Sequence, residues 1–384
     1  MSQHASFDAA ARAAWAADLV PAHLRDLQSY QPGKPIEELE RELGITGAIK
    51  VASNENPLGP SPAALAAIAA ELPRLHLYPD ASGHVLRAAL SAHLGVGADH
   101  IILGAGSNEL LYQLVLALCE PDDEVVSHQY AFLSYRLAAL VAGRRFIAAP
   151  ASAALGCDVD ALIAAFTPRT KLVVLGTPNN PTGTVLTRAE LERVRAALPT
   201  RAVLVVDEAY AEYAAAWPEV DHADGLAAAA ADPRIVVLRT FSKIYGLAGL
   251  RVGYGVADPA VVDLLGRVTR TFNVGTLAQI AATAALADRA HVAASAAHAR
   301  RCLEALTSGL AGVGAGVRVL PSLANFALVA CGRPSAPLYD QLLRQGVIVR
   351  PMAAWGLPAH LRVSVASTAE QPRVIATLAR VLAG

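Results

Sequence analysis

The 384-residue chain is long enough for two domains, and its 32 Lys and Arg nearly balance its 33 Asp and Glu, giving a formal net charge of −1. This balance argues against a nucleic-acid-binding surface, and no apolar run approaches the roughly 18–20 residues that span a bilayer. The N-terminus lacks the basic and apolar segments of a signal peptide, and the four cysteines are widely spaced, without a metal or redox pattern. These features predict a cytoplasmic protein with no bound metal, no membrane contact and no nucleic-acid partner.

The first two thirds of the chain alternate between strand-like and helix-like segments. A short helix at 35–43 and a loop at 52–62 come first. The predicted strand and helix pairs are then 101–103 with 108–119, 124–126 with 132–142, and 172–175 with 188–198, before strands at 203–206 and 235–238. Such alternation is typical of a mainly parallel sheet with right-handed crossovers and helices on both faces. We therefore predict an α/β large domain over residues 52–276.

The pattern changes after residue 276. A long alanine-rich helix is predicted at 278–310, followed by strands at 317–319, 325–330, 346–350 and 361–365 and helices at 337–344 and 371–382. Short strands with helices on one side indicate a smaller α+β domain. We assign it residues 277–384 together with 1–51, the latter forming an N-terminal arm.

Three apolar runs of the large domain each end in polar groups of a different kind. The run at 172–175 leads to Asn180, the run at 203–206 to Asp207 and Tyr210, and the run at 235–238 to Lys243. In an open parallel sheet the carboxyl ends of the strands form the ligand crevice, so these groups should converge there. An amine for a Schiff base, an acid for a ring nitrogen and a site for a phosphate are what pyridoxal phosphate requires. Any one of these groups alone would be an ordinary turn or surface residue.

A glycine turn supplies the expected anion site. Ser107 and Asn108 follow Gly104-Ala105-Gly106 at the start of a predicted helix, where free N–H groups and the helix dipole attract an anion. Thr240, Ser242 and Arg251 follow another strand, and the planar guanidinium of Arg251 suits a phosphate. Together these residues predict a phosphate pocket.

The chain resembles the fold-type I pyridoxal-phosphate aminotransferases, in the subgroup that contains histidinol-phosphate aminotransferase. The matching segments are 53–57 (Ser-Asn-Glu-Asn-Pro), 78–80 (Tyr-Pro-Asp), 104–108, 180–183, 207–210, 242–243, 249–251 and 361–364 (Leu-Arg-Val-Ser). The resemblance implies an aspartate-aminotransferase-like large domain with a seven-stranded sheet. It also implies a homodimer with shared active sites that moves an amino group from a small donor to a 2-oxo acid.

The resemblance further implies a role for each matching residue. Lys243 would carry the cofactor as a Schiff base, with Asp207 at the ring nitrogen and Phe132 stacked on the ring. Tyr210 and Asn180 would bind the ring oxygen, and Tyr78 would reach the phosphate of the neighbouring subunit's cofactor. The expected phosphate ligands are Ser107, Asn108, Thr240, Ser242 and Arg251, and the expected substrate ligands are Tyr30, Asn54, Arg350 and Arg362.

The resemblance favours L-histidinol phosphate as the amino donor and 2-oxoglutarate as the acceptor, with an aromatic amino acid as the alternative donor. Two arginines suit the phosphate of histidinol phosphate, the donor in a histidine-biosynthetic branch, and they equally suit the carboxylates of 2-oxoglutarate. Ala366-Ser367 and Gly275 depart from the family's usual residues near the substrate pocket, which leaves room for an aromatic aminotransferase that accepts phenylalanine or tyrosine. A decarboxylase of amino-acid phosphates on the same cofactor frame is a more distant alternative.

Overall fold

The computed structural model describes residues 8–25, 27 and 33–384, and within this part of the chain the strands form sheets of two, four and seven members. The strands are β1 Ile49–Lys50, β2 Ile101–Gly104, β3 Glu124–His128, β4 Arg145–Ala149, β5 Thr170–Gly176, β6 Val203–Asp207, β7 Ile235–Thr240, β8 Gly253–Val256, β9 Val317–Val319, β10 Phe326–Cys331, β11 Val347–Ile348, β12 Arg350–Pro351 and β13 His360–Ser364.

The α-helices of the same part of the chain follow the strands at short intervals. They are α1 Ala9–Leu19, α2 Ile36–Leu43, α3 Pro62–Glu71, α4 His84–Leu94, α5 Ser107–Leu118, α6 Leu133–Val141, α7 Val159–Ala164, α8 Arg188–Ala197, α9 Ala211–Ala214, α10 Gly225–Ala231, α11 Pro259–Gly266, α12 Thr276–Ala287, α13 Arg289–Leu310, α14 Ser335–Arg344 and α15 Gln371–Ala383. In these described segments no helix is long and apolar enough to cross a membrane.

The seven-stranded sheet has the order β2–β8–β7–β6–β5–β3–β4, and every neighbouring pair is parallel except the two that involve β8. Its central strands β5 and β6 are almost entirely buried because Val and Leu fill both of their faces, as a sheet covered by helices on both sides requires. The predicted α/β architecture with a mainly parallel sheet is confirmed. The sequence analysis missed β8, whose glycines at 253 and 255 weaken the strand pattern.

The four-stranded antiparallel sheet has the order β12–β13–β10–β9. The predicted single strand at 346–350 is wrong, because the chain divides it between two sheets. Residues Val347–Ile348 pair in parallel with Ile49–Lys50, and Arg350–Pro351 pair with β13. The division brings the residues before the 52–62 loop against the C-terminal part of the chain.

The predicted uninterrupted helix at 278–310 is also wrong. The chain leaves helical geometry at Asp288, with φ −84° and ψ 70°, and its carboxylate accepts a hydrogen bond from the backbone N–H of His291 to cap the second helix. An aspartate cap offers the backbone an alternative to continuing the helix. The alanine-rich pattern continues across this break and hides it.

The four cysteines are free thiols in buried or partly buried surroundings. Cys119, Cys302 and Cys331 are buried, Cys157 is partly buried, and none forms a disulfide. Burial raises the pKa of the Cys119 and Cys157 thiols to about 12 and that of Cys331 to about 11. These thiols therefore stay protonated at neutral pH.

Candidate active site

A cavity of about 210 Å³ lies at the carboxyl ends of the central strands. Asp207 is the last residue of β6 and Thr240 the last of β7, and Ser107 begins α5 directly after the turn that follows β2. All of the predicted site residues line this cavity except Tyr30 and Tyr78. Tyr30 lies outside the described residues. The convergence of Ser107, Asp207 and Thr240 follows from the parallel direction of β2, β6 and β7, whose carboxyl ends meet here.

Lys243 lies inside this cavity, in the turn after β7. Its Nζ donates a hydrogen bond to the backbone oxygen of Ser53 at 3.3 Å and lies 5.8 Å from the centre of the Tyr210 ring. The pKa of Lys243 is lowered to about 8, mainly because burial disfavours the ammonium ion, and the positive charges of Arg362 and Arg251 add to the decrease. With a pKa of about 8, roughly a tenth of the amine is uncharged at pH 7. This is the form that acts as a nucleophile or a proton acceptor.

The Asp207 carboxylate accepts a hydrogen bond from a buried tyrosine that the sequence analysis did not select. Tyr135, on α6, is buried and donates a hydrogen bond from its hydroxyl to Asp207 Oδ2 at 2.9 Å, while the N–H of Ala209 donates to Oδ1 at 3.2 Å. Burial raises the pKa of Asp207 to about 6, and these two hydrogen bonds and Lys243 oppose the rise. A Cβ at Gly176 would stand 3.0 Å from the Tyr135 hydroxyl, so the glycine gives that hydroxyl its space.

The opposite wall of the cavity is built to receive an anion. Gly106 has φ 82°, and a Cβ at this position would lie 2.5 Å from Arg251 Nη2. Only glycine therefore leaves room for the Arg251 guanidinium beside the start of α5. A Cβ at Gly253 would lie 2.5 Å from the backbone nitrogen of Ser107. Arg251 Nη1 also donates to Ser242 Oγ at 3.1 Å. A fixed positive charge thus meets a helix N-terminus, which suits a phosphate.

Two arginines from the four-stranded sheet close the far side of the cavity. Arg362 Nη1 donates to Asn180 Oδ1 at 2.5 Å and Nη2 donates to the backbone oxygen of Ala52 at 2.6 Å. Arg350 lies with its guanidinium 5.7 Å from the centre of the Trp355 ring. The site therefore combines an amine and a carboxylate with cationic groups at both ends.

Tyr78 stands apart from this cavity. Its side chain is 82% exposed, and its ring stacks on Phe272 at 4.7 Å between ring centres. The prediction that Tyr78 reaches the neighbouring subunit's cofactor stays a prediction. Phe132 does line the cavity, and its ring meets Tyr135 edge to face with ring centres 5.7 Å apart.

Sequence reasoning missed three contributors to the site, Tyr135, Ser364 and the carbonyl of Ser53. Tyr135 follows Phe132, the residue that caps α6, by three residues, a spacing that would place both on one face of the predicted helix at 132–142. Ser364 follows Arg362 by two residues, and this strand spacing puts both on one face of β13. These spacings were the available signals. A backbone carbonyl such as that of Ser53 has none.

Comparison with known proteins identifies the family of this chain. The profile of the family described as aminotransferase class I and II matches residues 46–378. The chain is 47% identical over 365 residues to the histidinol-phosphate aminotransferase of Anaeromyxobacter sp. (strain Fw109-5), an alignment that covers 95% of this chain and 99% of that protein. The chain belongs to the class I and II aminotransferases.

Further relatives and solved structures are similar to this chain. Histidinol-phosphate aminotransferase 1 of Nitrosococcus oceani is 46% identical over 95% of this chain and 97% of that protein. The crystal structure of histidinol-phosphate aminotransferase from Sinorhizobium meliloti in complex with pyridoxal-5'-phosphate superposes with a TM-score of 0.85 and 29% identity, covering 95% of this chain and 97% of that one. An aspartate aminotransferase of Thermus thermophilus shares the fold, with a TM-score of 0.80 at 24% identity.

Proposed function

We propose that this aminotransferase uses pyridoxal phosphate to exchange an amino group between L-histidinol phosphate and 2-oxoglutarate, a step of histidine biosynthesis. The observation that carries the proposal is the placement of Lys243, Asp207 and the Arg251 anion site in one cavity, with Arg350 and Arg362 on its far side. The relatives named as histidinol-phosphate aminotransferases support the choice of donor.

The groups that line the cavity fit each part of this cofactor. Asp207 is the acid for the ring nitrogen, and Tyr210 and Asn180 are within the same cavity for the ring oxygen. Phe132 supplies an aromatic face. The phosphate would be held by Ser107, Asn108, Thr240, Ser242 and Arg251.

Asp207 and Lys243 have separate roles in proton transfer. Bound pyridoxal phosphate supplies an electron-withdrawing ring that stabilises negative charge at the substrate Cα. Asp207, as a carboxylate, holds a proton on the ring nitrogen. Lys243 Nζ, in the uncharged form that its lowered pKa makes more accessible, would accept the proton from Cα and pass it to C4′ of the cofactor. Arg362 and Arg350 orient the substrate by its anionic end.

The deciding experiment compares donors in single-turnover half-reactions with the purified holoenzyme. Histidinol phosphate, histidine, phenylalanine and tyrosine are mixed in parallel, and the decay of cofactor absorbance is followed. Histidinol phosphate should give the highest kcat/KM. Faster decay with phenylalanine or tyrosine would instead establish an aromatic aminotransferase, and CO₂ release without consumption of 2-oxoglutarate would establish a decarboxylase.

Removal of the Arg350 guanidinium should alter donor preference. Arg350→Ala loses a charge-assisted contact and is expected to lower kcat/KM for histidinol phosphate by roughly ten- to a hundredfold. The half-reaction with phenylalanine, which has no second anion, should change much less. Arg344→Ala, an exposed arginine of α14, is the matched control. An equal loss with both donors would show that Arg350 does not read the donor phosphate.

Tyr135 should control the pH range over which the cofactor binds. Tyr135→Phe removes a hydrogen bond that favours the Asp207 carboxylate, so the pKa of Asp207, about 6 with this bond, should rise. Affinity falls when protonation neutralises Asp207, so on acidification the loss of binding should begin roughly one pH unit higher in the variant. Fluorescence titration of the apoprotein with pyridoxal phosphate measures this onset, with Tyr339→Phe as control. An unchanged onset would contradict the role.

A homodimer with shared active sites accompanies the proposal. Large apolar side chains are exposed in the segment after α3, with Leu72, Leu75, Leu77 and Tyr78 each at least half exposed. Such a patch is typical of a surface that a partner covers. We further propose a cytoplasmic location, and domain limits of 52–276 and of 277–384 with 1–51 as the N-terminal arm.

A further inference from the structure

A chain of buried hydrogen bonds runs from the four-stranded sheet to the Tyr210 hydroxyl. Ser364 Oγ donates to Asn54 Oδ1 at 2.8 Å, and Asn54 Nδ2 donates to the Tyr210 hydroxyl oxygen at 2.9 Å. The backbone N–H of Asn54 in turn donates to Ser364 Oγ at 2.9 Å. All three side chains are at most 4% exposed. Water is therefore kept from these bonds, and each group depends on its neighbour.

The available donors and acceptors fix the direction of this series of hydrogen bonds. Ser364 Oγ receives the Asn54 backbone N–H, and its own single proton then needs an acceptor. Among the described residues, Asn54 Oδ1 is the acceptor that it reaches. The amide oxygen of Asn54 is thereby turned toward Ser364, and its NH₂ group toward Tyr210. The Tyr210 hydroxyl accepts on this side, so its proton points away from Asn54.

Surrounding groups hold Asn54 and Tyr210 in place. Asn54 has φ 57°, a left-handed conformation that is strained for a residue with a side chain. Its carbonyl accepts a hydrogen bond from Asn325 Nδ2 at 3.1 Å, which helps to hold that conformation. The Tyr210 ring packs edge to face against Phe326 with ring centres 5.2 Å apart. Phe326 is the neighbour of Ser364 in the β10–β13 pairing, so one pair of strands supports both Ser364 and the Tyr210 ring.

We propose that Ser364 is a positioning residue that, through Asn54, directs the Tyr210 proton toward the ring oxygen of pyridoxal phosphate. The inference rests on the proposed function and adds a residue to which no role has been given. If the Ser364 hydroxyl is absent, the Asn54 amide can turn over and present its oxygen to Tyr210. The Tyr210 hydroxyl then donates its hydrogen bond to Asn54 Oδ1 and no longer to the ring oxygen of the cofactor.

The test follows the absorbance of bound cofactor against pH in purified holoenzyme. A hydrogen bond from Tyr210 stabilises negative charge on the ring oxygen, so its loss should raise the pH midpoint of the absorbance change. Tyr210→Phe should raise the midpoint by about one unit or more, and Ser364→Ala by about half a unit. Adding Ser364→Ala to Tyr210→Phe should cause no further shift, because the proton that Ser364 directs is already gone.

The controls separate this role from ordinary stabilisation. Ser335→Ala removes another buried hydroxyl, bonded to the backbone oxygen of Pro358 at 2.9 Å, and should leave the midpoint unchanged. Ser364→Thr keeps the hydroxyl and should restore the wild-type midpoint. Ser364→Cys, with its weaker donor, should shift the midpoint slightly upward and serves if the alanine variant does not fold.

The outcomes also separate this inference from the proposed function. Wild-type protein that acquires no cofactor absorbance would overturn the proposed function itself. A shift with Tyr210→Phe but none with either Ser364→Ala or Ser364→Cys would overturn the positioning role alone. A Ser364→Ala shift of equal size in the Tyr210→Phe background would also overturn it, because the hydroxyl would then act by another route.

Discussion

Lys243→Ala is expected to reduce turnover by roughly 10⁴-fold or more while the cofactor still binds. The substitution removes the amine that attaches the cofactor and moves the Cα proton, but it leaves the Arg251 anion site and Asp207 in place. Rapid-mixing measurement of the half-reaction gives the rate, and dialysis followed by absorbance gives the retained cofactor.

Borohydride reduction and peptide mapping provide the direct check on Lys243. The reduced cofactor should be found on that residue. Lys171→Ala is the matched control, because Lys171 lies near the amino end of β5, away from the carboxyl ends of the strands that form the cavity. Recovery of the label on a different lysine, or near-normal turnover in Lys243→Ala, would contradict the assignment.

Asp207→Asn is expected to lower the rate of the proton-transfer step by about 10²-fold or more. Asparagine keeps the shape and can still accept the Tyr135 hydrogen bond, but it lacks the charge that holds a proton on the ring nitrogen. The loss should persist above pH 8, where wild-type Asp207, with a pKa of about 6, is fully ionised. Above pH 8, partial protonation of Asp207 in the wild-type protein therefore does not affect the comparison of the two rates.

A pH series of single-turnover rates makes that measurement. Asp263→Asn changes an exposed aspartate of α11 that pairs with Arg267 and serves as the control. Rates for Asp207→Asn within a few-fold of wild type across the series would show that Asp207 is not the partner of the ring nitrogen.

The large sheet and the centre of the site were predictable because their signals are local. An apolar run of residues that ends in Asp207 or Thr240 predicts both a buried strand and a functional group at its carboxyl end. Glycine at 106 likewise signals a tight turn before a helix. One residue type at one position carries each of these inferences.

Other features depend on contacts that no local pattern records. The direction of the Tyr135 hydroxyl depends on how α6 lies on the sheet, and Ser364 meets Asn54 across 310 residues of sequence. The break at Asp288 and the strand at 253–256 were missed for the opposite reason. There the local pattern was present, but an alanine-rich run and two glycines pointed to other structures.

The protonated, enclosed thiols leave the chain with little reactivity toward maleimides at neutral pH. Cysteines introduced at exposed positions can therefore be labelled selectively without first removing the native ones. Asp122→Cys, beside the seven-stranded sheet, and Asp340→Cys, on the α14 side, would accept a donor and an acceptor fluorophore. Energy transfer between them would report any change in spacing between the two sheets as the amino donor binds.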